Sequence, residues 1–198
     1  MTSSPVTSHT APGSNGAPTL RGLLATLASD PALRSLIDAA GVATLRIQGA
    51  TAARPLVVAA VAGEHGANRP VLVVTATERE AEELADVLGE LLHPDQVACL
   101  PSWETLPHEK LSPRADTVGR RLAVLHRLAH PGSGSPLRVL TATVRSFIQP
   151  MAPGLADLDP LRLTVGVERD FADCVTRLTE LAYTRVDMVE KRGEFAVR

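Results

Sequence analysis

The stretch "RPVLVVTATEREAEELADVLGELL", residues 69–92, carries the pattern on which the fold prediction depends. It begins with a continuous apolar run, which is typical of a strand in the middle of a parallel sheet. Thr77 follows, with Glu80 three residues later, and this capping-box spacing predicts a helix over residues 78–92. A buried strand that leads directly into a helix is half of a βαβ unit, so the stretch predicts an α/β fold.

The same alternation continues on both sides of this stretch. Apolar clusters predict further strands at residues 44–49, 96–100 and 137–142. Helical spacing predicts helices at residues 20–29, 31–41, 56–64, 112–128 and 144–149, with Asp30-Pro31 and Ser112-Pro113 as helix starts. Strands that alternate with helices favour a mainly parallel sheet with helices on both faces.

The pattern changes near residues 149–160, where a second unit is predicted to begin. This unit reads as strand 161–166, helix 171–183 and two late strands, 185–189 and 193–198, joined as a hairpin. We therefore expect an α/β domain over residues 20–158, followed by a small α+β domain over residues 159–198 that is truncated at Arg198. Residues 1–19 are rich in Ser, Thr, Pro and Gly, which indicates a disordered tail.

Composition excludes several classes of protein. The formal net charge is −2, so no strong overall field attracts nucleic acid. Cys99 and Cys174 are far apart and the six histidines are scattered, so neither a catalytic nor a metal site is predicted. The start of the chain lacks a signal-peptide pattern and its apolar runs are too short to span a bilayer, so we expect a cytoplasmic protein without membrane contact.

The segment "GATAARPL", residues 49–56, occupies the place where a nucleoside triphosphatase carries its phosphate loop. Gly49 is present and the loop length, through Thr51, is right. Arg54, Pro55 and Leu56 replace the second glycine, the lysine and the hydroxyl residue, which would otherwise bind phosphate and Mg²⁺. Two interpretations stay open on these residues: an ordinary turn that never bound a ligand, and a nucleotide loop that lost its function.

Three longer stretches resemble a known family. They are "LPSWETLPHEKLSPRADTVGRRLAVL" (residues 100–125), "VLTATVRSFIQPMAP" (139–153) and "AYTRVDMVEKRGEFAVR" (182–198). They are similar to the N-terminal module of the bacterial transcription-repair coupling factors, which itself resembles the excision-repair helicase UvrB. The resemblance implies a degenerate RecA-like domain with an inactive nucleotide loop, followed by a small domain that binds UvrA.

The resemblance also implies a function. The chain would be the N-terminal fragment of a protein that recruits UvrA to stalled RNA polymerase for nucleotide excision repair. The motor that uses ATP and Mg²⁺, and the parts that meet RNA polymerase and DNA, would lie beyond Arg198, and this chain would hold no cofactor of its own. The alternative is a working P-loop ATPase or helicase domain, against which the residues at 54–56 argue.

The resemblance assigns roles to particular residues. Arg198 closes the family's Gly-Glu-(Phe/Tyr)-x-x-Arg run and is expected on the UvrA-binding face. Arg192 and Glu194 beside it could be rim charges of that face or plain solvated residues. Trp103, with Leu106 and Pro107, is expected to pack a rigid connection over the edge of the sheet, or else to meet another domain of the parent protein.

A cluster of basic residues on the predicted helix 112–128 and just after it is the remaining candidate site. Its members are Arg114, Arg120, Arg121, His126, Arg127 and His130. The cluster could contact DNA phosphates, but its members do not form one line and carry no interleaved aromatics, so a solvated face is the favoured interpretation. An i,i+4 pair between Asp116 and Arg120 is also predicted, and Asp157 and Asp159 read as turn formers.

Overall fold

The computed structural model describes residues 20–27, 29–42, 44–105, 112–132 and 134–198. The helices are α1 Arg21–Leu27, α2 Pro31–Ala39, α3 Arg54–Ala62, α4 Glu78–Leu91, α5 Ala115–Ala129, α6 Val144–Ile148 and α7 Phe171–Glu180. The strands are β1 Val71–Thr75, β2 Val97–Leu100, β3 Val139–Thr143, β4 Thr184–Arg185 and β5 Glu194–Phe195. Three short 3-10 turns lie at Thr51–Ala53, Pro94–Gln96 and Leu155–Asp157.

Strands β1, β2 and β3 form a parallel sheet in the order β1-β3-β2. Val139 lies opposite both Val71 and Val97, so the three strands start in register and end at the same edge. The middle strand is β3, and all five of its residues are buried. The predicted α/β class with a parallel sheet is therefore confirmed, whereas β1, which the sequence predicted to be central, lies at the edge.

The two faces of the sheet are covered to different extents. On one face, α1, α3 and α4 pack around Val97 and Val139 to form the larger core cluster. On the other face, α5 packs against β2, and Val124, Leu100 and Leu140 form a smaller cluster. Neither cluster takes in Leu72 and Val74, which remain 53% and 50% exposed.

Helix α4 begins as predicted after Thr77, whose side chain accepts a hydrogen bond from the Glu80 backbone N–H. The other half of the predicted capping box does not form, because the Glu80 carboxylate pairs with Arg54. Asp30 caps α2 as predicted, through bonds from the backbone of residues 32 and 33. The start of α5 was predicted wrongly. It begins at Ala115 with Arg114 at the cap position and no capping side chain, because Ser112 and Pro113 lie before it in extended backbone.

Two predicted strands are absent from the part of the chain described. Residues 44–49 and 161–166 have strand-like sequences but pair with no other strand. The predicted hairpin near the end is also wrong. Strands β4 and β5 pair in parallel over two residues each, so the intervening segment is a crossover rather than a tight turn. Helix α7 ends at Glu180, three residues before its predicted end.

Candidate interaction site

Residues 49–56, where the sequence suggested a degenerate phosphate loop, lead from an unpaired segment into a helix. Residues 51–53 form a 3-10 turn, and Arg54 opens α3 with Pro55 in its first turn. Pro55 has no N–H to offer a ligand. The Arg54 guanidinium is instead paired with Glu80 on the first turn of α4, at 2.6 Å. Gly49 and Thr51 are exposed.

The carboxyl edge of the sheet, where ligands bind in folds of this class, is occupied by the chain's own side chains. Immediately after β2, the Ser102 N–H donates to the Glu78 carboxylate, and the Ser102 hydroxyl shares a 3.1 Å hydrogen bond with the Thr143 hydroxyl at the end of β3. Thr143 also forms a reciprocal capping box with Ser146 at the start of α6. The polar groups at this edge therefore satisfy one another.

Trp103 follows directly and fastens two segments together. Its backbone N–H donates to the Gln149 side chain at 2.6 Å, and its carbonyl accepts from the same side chain and from Arg145. The half-buried indole donates its own N–H to the Pro150 carbonyl at 3.2 Å. This supports the predicted structural role of Trp103, whereas Leu106 and Pro107 lie outside the described residues.

Arg121, on α5, differs most from its prediction. The sequence predicts it on a solvated basic face, yet its exposure is 0%. Its guanidinium lies 4.4 Å from the centre of the Trp103 ring and donates to the Pro101 and Ser146 carbonyls. Burial lowers the pKa of this guanidinium from its ordinary value. A signal was present in the sequence, because position 121 lies three residues before Val124 on the face that points at the sheet.

The remaining basic residues of α5 do not form one stripe. Arg120 pairs with Glu82 on α4 at 2.8 Å, a hydrogen bond that raises the pKa of Arg120. Arg127 donates to the backbone of Asp95, and the rings of His126 and His130 stack on each other. The predicted pair of Asp116 with Arg120 is wrong, because Glu82 takes Arg120.

Asp116 makes two other contacts. It lies 3.9 Å from Arg114, and its Oδ1 lies 2.7 Å from Nε of Arg192 in the second unit. Of the two predicted turn formers, Asp157 closes the 3-10 turn at Leu155–Asp157. Asp159 offers its carbonyl to Arg177 at 2.7 Å.

In the second unit, the three residues predicted to contact a partner have different environments. Arg198 is exposed. Glu194 is half-buried, and its carboxylate accepts the backbone N–H groups of Glu190 and Lys191, which lowers its pKa. Arg192 is occupied by Asp116. Glu194 therefore shapes the turn before β5, and Arg198 presents its side chain to solvent.

Large apolar side chains are also exposed in the second unit. They are Leu163, Val165, Val167, Phe171, Tyr183, Met188 and Val189. All seven are at least 41% exposed. These side chains are apolar area that the described residues leave uncovered.

The described ranges contain neither a candidate metal site nor a membrane-spanning helix. No group of three or more His, Cys, Asp or Glu side chains there could hold a metal ion. Cys99 and Cys174 are both free thiols, and burial raises the pKa of Cys99. Within the same ranges, no helix is both long enough and apolar enough to cross a membrane.

Comparison with known proteins places this arrangement in a family. Residues 161–198 match the model of the UvrB interaction domain. Over 195 residues, 96% of the chain, the sequence is 51% identical to the transcription-repair-coupling factor of Mycobacterium tuberculosis. The chain belongs, as a segment, to the transcription-repair-coupling factor family.

More distant members of the coupling-factor family match as well. The protein of Myxococcus xanthus is 36% identical over 144 residues, 68% of this chain, and that of Escherichia coli is 29% identical over 148 residues, 74% of this chain. The chain spans 15% of the length of the mycobacterial relative and 12% of the other two. The exposed apolar residues and Arg198 described above all lie inside the matched interaction domain.

Proposed function

We propose that this chain is the part of a transcription-repair coupling factor that recruits UvrA to stalled RNA polymerase for nucleotide excision repair. The parent protein is an ATP-driven DNA translocase. Its motor, with the ATP and Mg²⁺ it uses, and its contacts with RNA polymerase and DNA lie in other parts of that polypeptide. Residues 20–158 would be a degenerate RecA-like domain that supports the interaction domain at residues 159–198.

The observation that carries the proposal is the match of residues 161–198 to the UvrB interaction domain. The name of that family model describes an interaction of an excision-repair protein. The relatives that match 96% of the chain are transcription-repair-coupling factors. A repair protein that contains an interaction domain of the nucleotide excision repair type is suited to bring UvrA to a stalled RNA polymerase.

The chemistry of the exposed surface supports a protein partner. Arg198 is exposed, and an arginine fork can bind a carboxylate through two parallel hydrogen bonds. Exposed Phe171, Met188 and Val189 in the same unit supply apolar area, and interfaces combine such an apolar centre with arginine hot spots. Arg192 and Glu194 already have intramolecular partners, so Arg198 is the strongest single candidate.

The test is a titration of UvrA against the parent polypeptide that carries this segment. Arg198→Ala should weaken the complex by about 1–4 kcal/mol, the range of an arginine hot spot. Arg169→Ala is the matched control, since it removes another exposed arginine from the same unit. Arg54→Ala tests the degenerate loop of the first unit and should leave the affinity unchanged.

Three outcomes would contradict the proposal. Equal affinities of the unsubstituted polypeptide and of Arg198→Ala for UvrA would show that Arg198 is not part of the interface. Loss of binding in Arg54→Ala alone, with the protein still folded, would move the partner surface to the first unit. No binding by the parent polypeptide under any condition would reject UvrA as the partner.

A further inference from the structure

The segment between the sheet and the second unit is bound to α5 at its start. Arg121 of α5 donates to the Ser146 carbonyl at 3.1 Å and to the Met151 sulfur at 3.1 Å. Trp103, on which this guanidinium stacks, holds Gln149 and Pro150. Residues 146–151 are therefore fixed to α5 and to the end of β2 through side chains and backbone together.

The middle of the segment also lies on α5. The 3-10 turn at Leu155–Asp157 packs against this helix, and Leu155 and Ala156 are half-buried there. Gly154 enters the turn with φ of +81°, a left-handed conformation that glycine adopts without strain. Linkers between independently moving domains are usually exposed and make few contacts. This segment is also largely exposed, at residues 150–154 and 157–160, but its start, middle and end all contact the rest of the chain.

The second unit is then tied to the segment and to α5 itself. Arg177 of α7 donates to the Asp159 carbonyl at 2.7 Å. Arg192, before β5, reaches the first turn of α5, where its Nε lies 2.7 Å from Oδ1 of Asp116. This contact is an ion pair rather than an aligned hydrogen bond, and Oδ1 itself is shielded from solvent. The Arg192 side chain is nevertheless 76% exposed and that of Asp116 46% exposed, so dissolved salt can screen the pair.

We propose that α5 locks the second unit in one orientation, with residues 146–159 as a strap along the helix and the Arg192–Asp116 ion pair as a salt-sensitive latch. Asp116 and Arg121 are five residues apart, about 7.5 Å along the helix axis. Two separated attachments on one helix resist rotation, which a single attachment does not. The strap supplies permanent contacts, whereas the ion pair is the part that can open.

The latch has a consequence for partner binding that rests on the proposed function. Arg192 lies close in sequence to Arg198, inside the interaction domain. While it is paired with Asp116 it is not available to a partner. A partner that uses Arg192 would have to open the latch, and the second unit would then be free to turn.

The native sequence provides a way to measure the orientation without any partner. Trp103 is the chain's single tryptophan and belongs to the first unit, whereas Cys174 lies on α7 of the second. With Cys99→Ser as background, a dye on Cys174 receives energy from Trp103, and time-resolved emission separates closed from open populations. Arg192→Gln and Asp116→Asn should each lower the closed-to-open ratio by roughly two- to five-fold, the effect of losing one ion pair.

Three comparisons make the result specific. Lys191→Gln removes a neighbouring exposed charge that has no contact with Asp116, and it should leave the ratio unchanged. The double variant Asp116→Asn with Arg192→Gln should show no further loss, since both changes remove the same interaction. Raising the salt from about 0.05 M to 0.5 M should lower the ratio in the parent chain but not in either single variant.

Several outcomes would overturn the latch. One is an unchanged ratio in both single variants. Another is an equal change in Lys191→Gln. A third is a broad distribution of distances in the parent chain at low salt. Urea midpoints followed by Trp103 emission verify that each variant is folded, and residues 116, 191 and 192 belong to neither core cluster.

Discussion

Arg121 shows how much one side chain can contribute to this structure. A guanidinium with 0% exposure can find partners only inside the protein. Two backbone carbonyls and the Met151 sulfur accept from its terminal nitrogens and the Trp103 ring stacks on it, whereas its Nε is buried without an acceptor among the described residues. Removal of such a group leaves buried carbonyls unpaired, which costs more than the hydrogen bonds themselves contribute. Arg121→Met should therefore lower the free energy of unfolding by about 2–4 kcal/mol, measured by urea denaturation.

Lysine should not restore the lost stability at this position, because an ammonium group lacks the planar fork that reaches both carbonyls and stacks on the ring. The control is Arg79→Met on α4, whose exposed pair with Glu83 is worth at most about 0.5 kcal/mol. If Arg121→Lys were as stable as the unsubstituted chain, the stacking on Trp103 and the two hydrogen bonds to backbone carbonyls would not be what stabilises this region.

Glu104, which follows Trp103 in the chain, should make the stability of the fold depend on pH. Partial burial would raise its pKa, but the hydrogen bond from the Thr117 hydroxyl, aided by backbone donors, outweighs this and lowers the pKa. A carboxylate with a depressed pKa stabilises the fold above its unfolded pKa, near 4.3, and loses that contribution as the pH falls through the folded value. Thr117→Val should therefore cost stability at pH 7 and less near pH 3.

Two variants separate this titration from packing at the buried Thr117 position. Thr117→Ser retains the hydroxyl and should keep the pH dependence of the parent chain. Glu104→Gln removes the titrating group and should flatten the same part of the curve. The measurement is the urea midpoint at a series of pH values, and a Thr117→Val deficit that is the same at pH 3 and pH 7 would disprove the link.

At the scale of elements, α5 contains a glycine that its surroundings do not require. A Cβ at Gly119 would have nothing within 4 Å, whereas a Cβ at Gly66, just after α3, would lie 1.7 Å from the Ala60 carbonyl. Glycine inside a helix costs about 0.5–1 kcal/mol relative to alanine. Gly119→Ala should raise the free energy of unfolding by that amount and Gly66→Ala should lower it, with thermal unfolding as the measurement.

The pair is informative because the two changes are chemically identical. If Gly119→Ala destabilised the chain, the space beside α5 would be filled by something that the described residues do not include. If Gly66→Ala were neutral, the turn after α3 would have to move without cost, although the Ala67 N–H bonds to the same Ala60 carbonyl at 3.1 Å.

Short sequence patterns correctly predicted the features that depend only on residues close to one another in the sequence. The Thr77 cap, the Asp30 cap and the strand pattern at 137–142 are visible in a few residues, and the structure has both caps and a strand at Val139–Thr143. Strand pairing depends on which distant segments meet. For that reason residues 44–49 read as a strand without forming one, and β1 was placed at the centre of the sheet although it lies at an edge.

The candidate site was less predictable than the fold, for the same reason. The spacing of Arg121 from Val124 indicates its inward face, but its partners, Trp103 and residues 146–151, are distant in sequence and could not be predicted. Asp116 was paired with Arg120 on its own helix, but Glu82 and Arg192 come from elsewhere in the chain and replace that pair. Helical spacing can identify which residues could meet, and tertiary contacts decide which do.

At the scale of the whole molecule, the contacts around residues 49–56 give a prediction about nucleotide binding. The Arg54 guanidinium is held by Glu80, Pro55 offers no N–H, and the sheet's carboxyl edge is occupied by mutually bonded side chains such as Ser102 and Thr143. A phosphate group would have to displace these contacts without the lysine and the Mg²⁺-binding hydroxyl that normally repay the cost. We therefore expect no saturable binding of a fluorescent ATP analogue to this chain.

The sharpest form of this test restores the missing groups. Arg54→Gly, Pro55→Lys and Leu56→Ser together recreate the phosphate-loop pattern at the start of α3. We expect this triple variant also to bind no nucleotide, because residues 44–49, which should mount the loop at the end of a strand, pair with no strand in the described part of the chain. Saturable binding by the parent chain that disappears in Arg54→Ala would contradict the argument at the loop itself. Binding by the triple variant alone would show that the substitutions at 54–56, and not the setting of the loop, abolished an ancestral site.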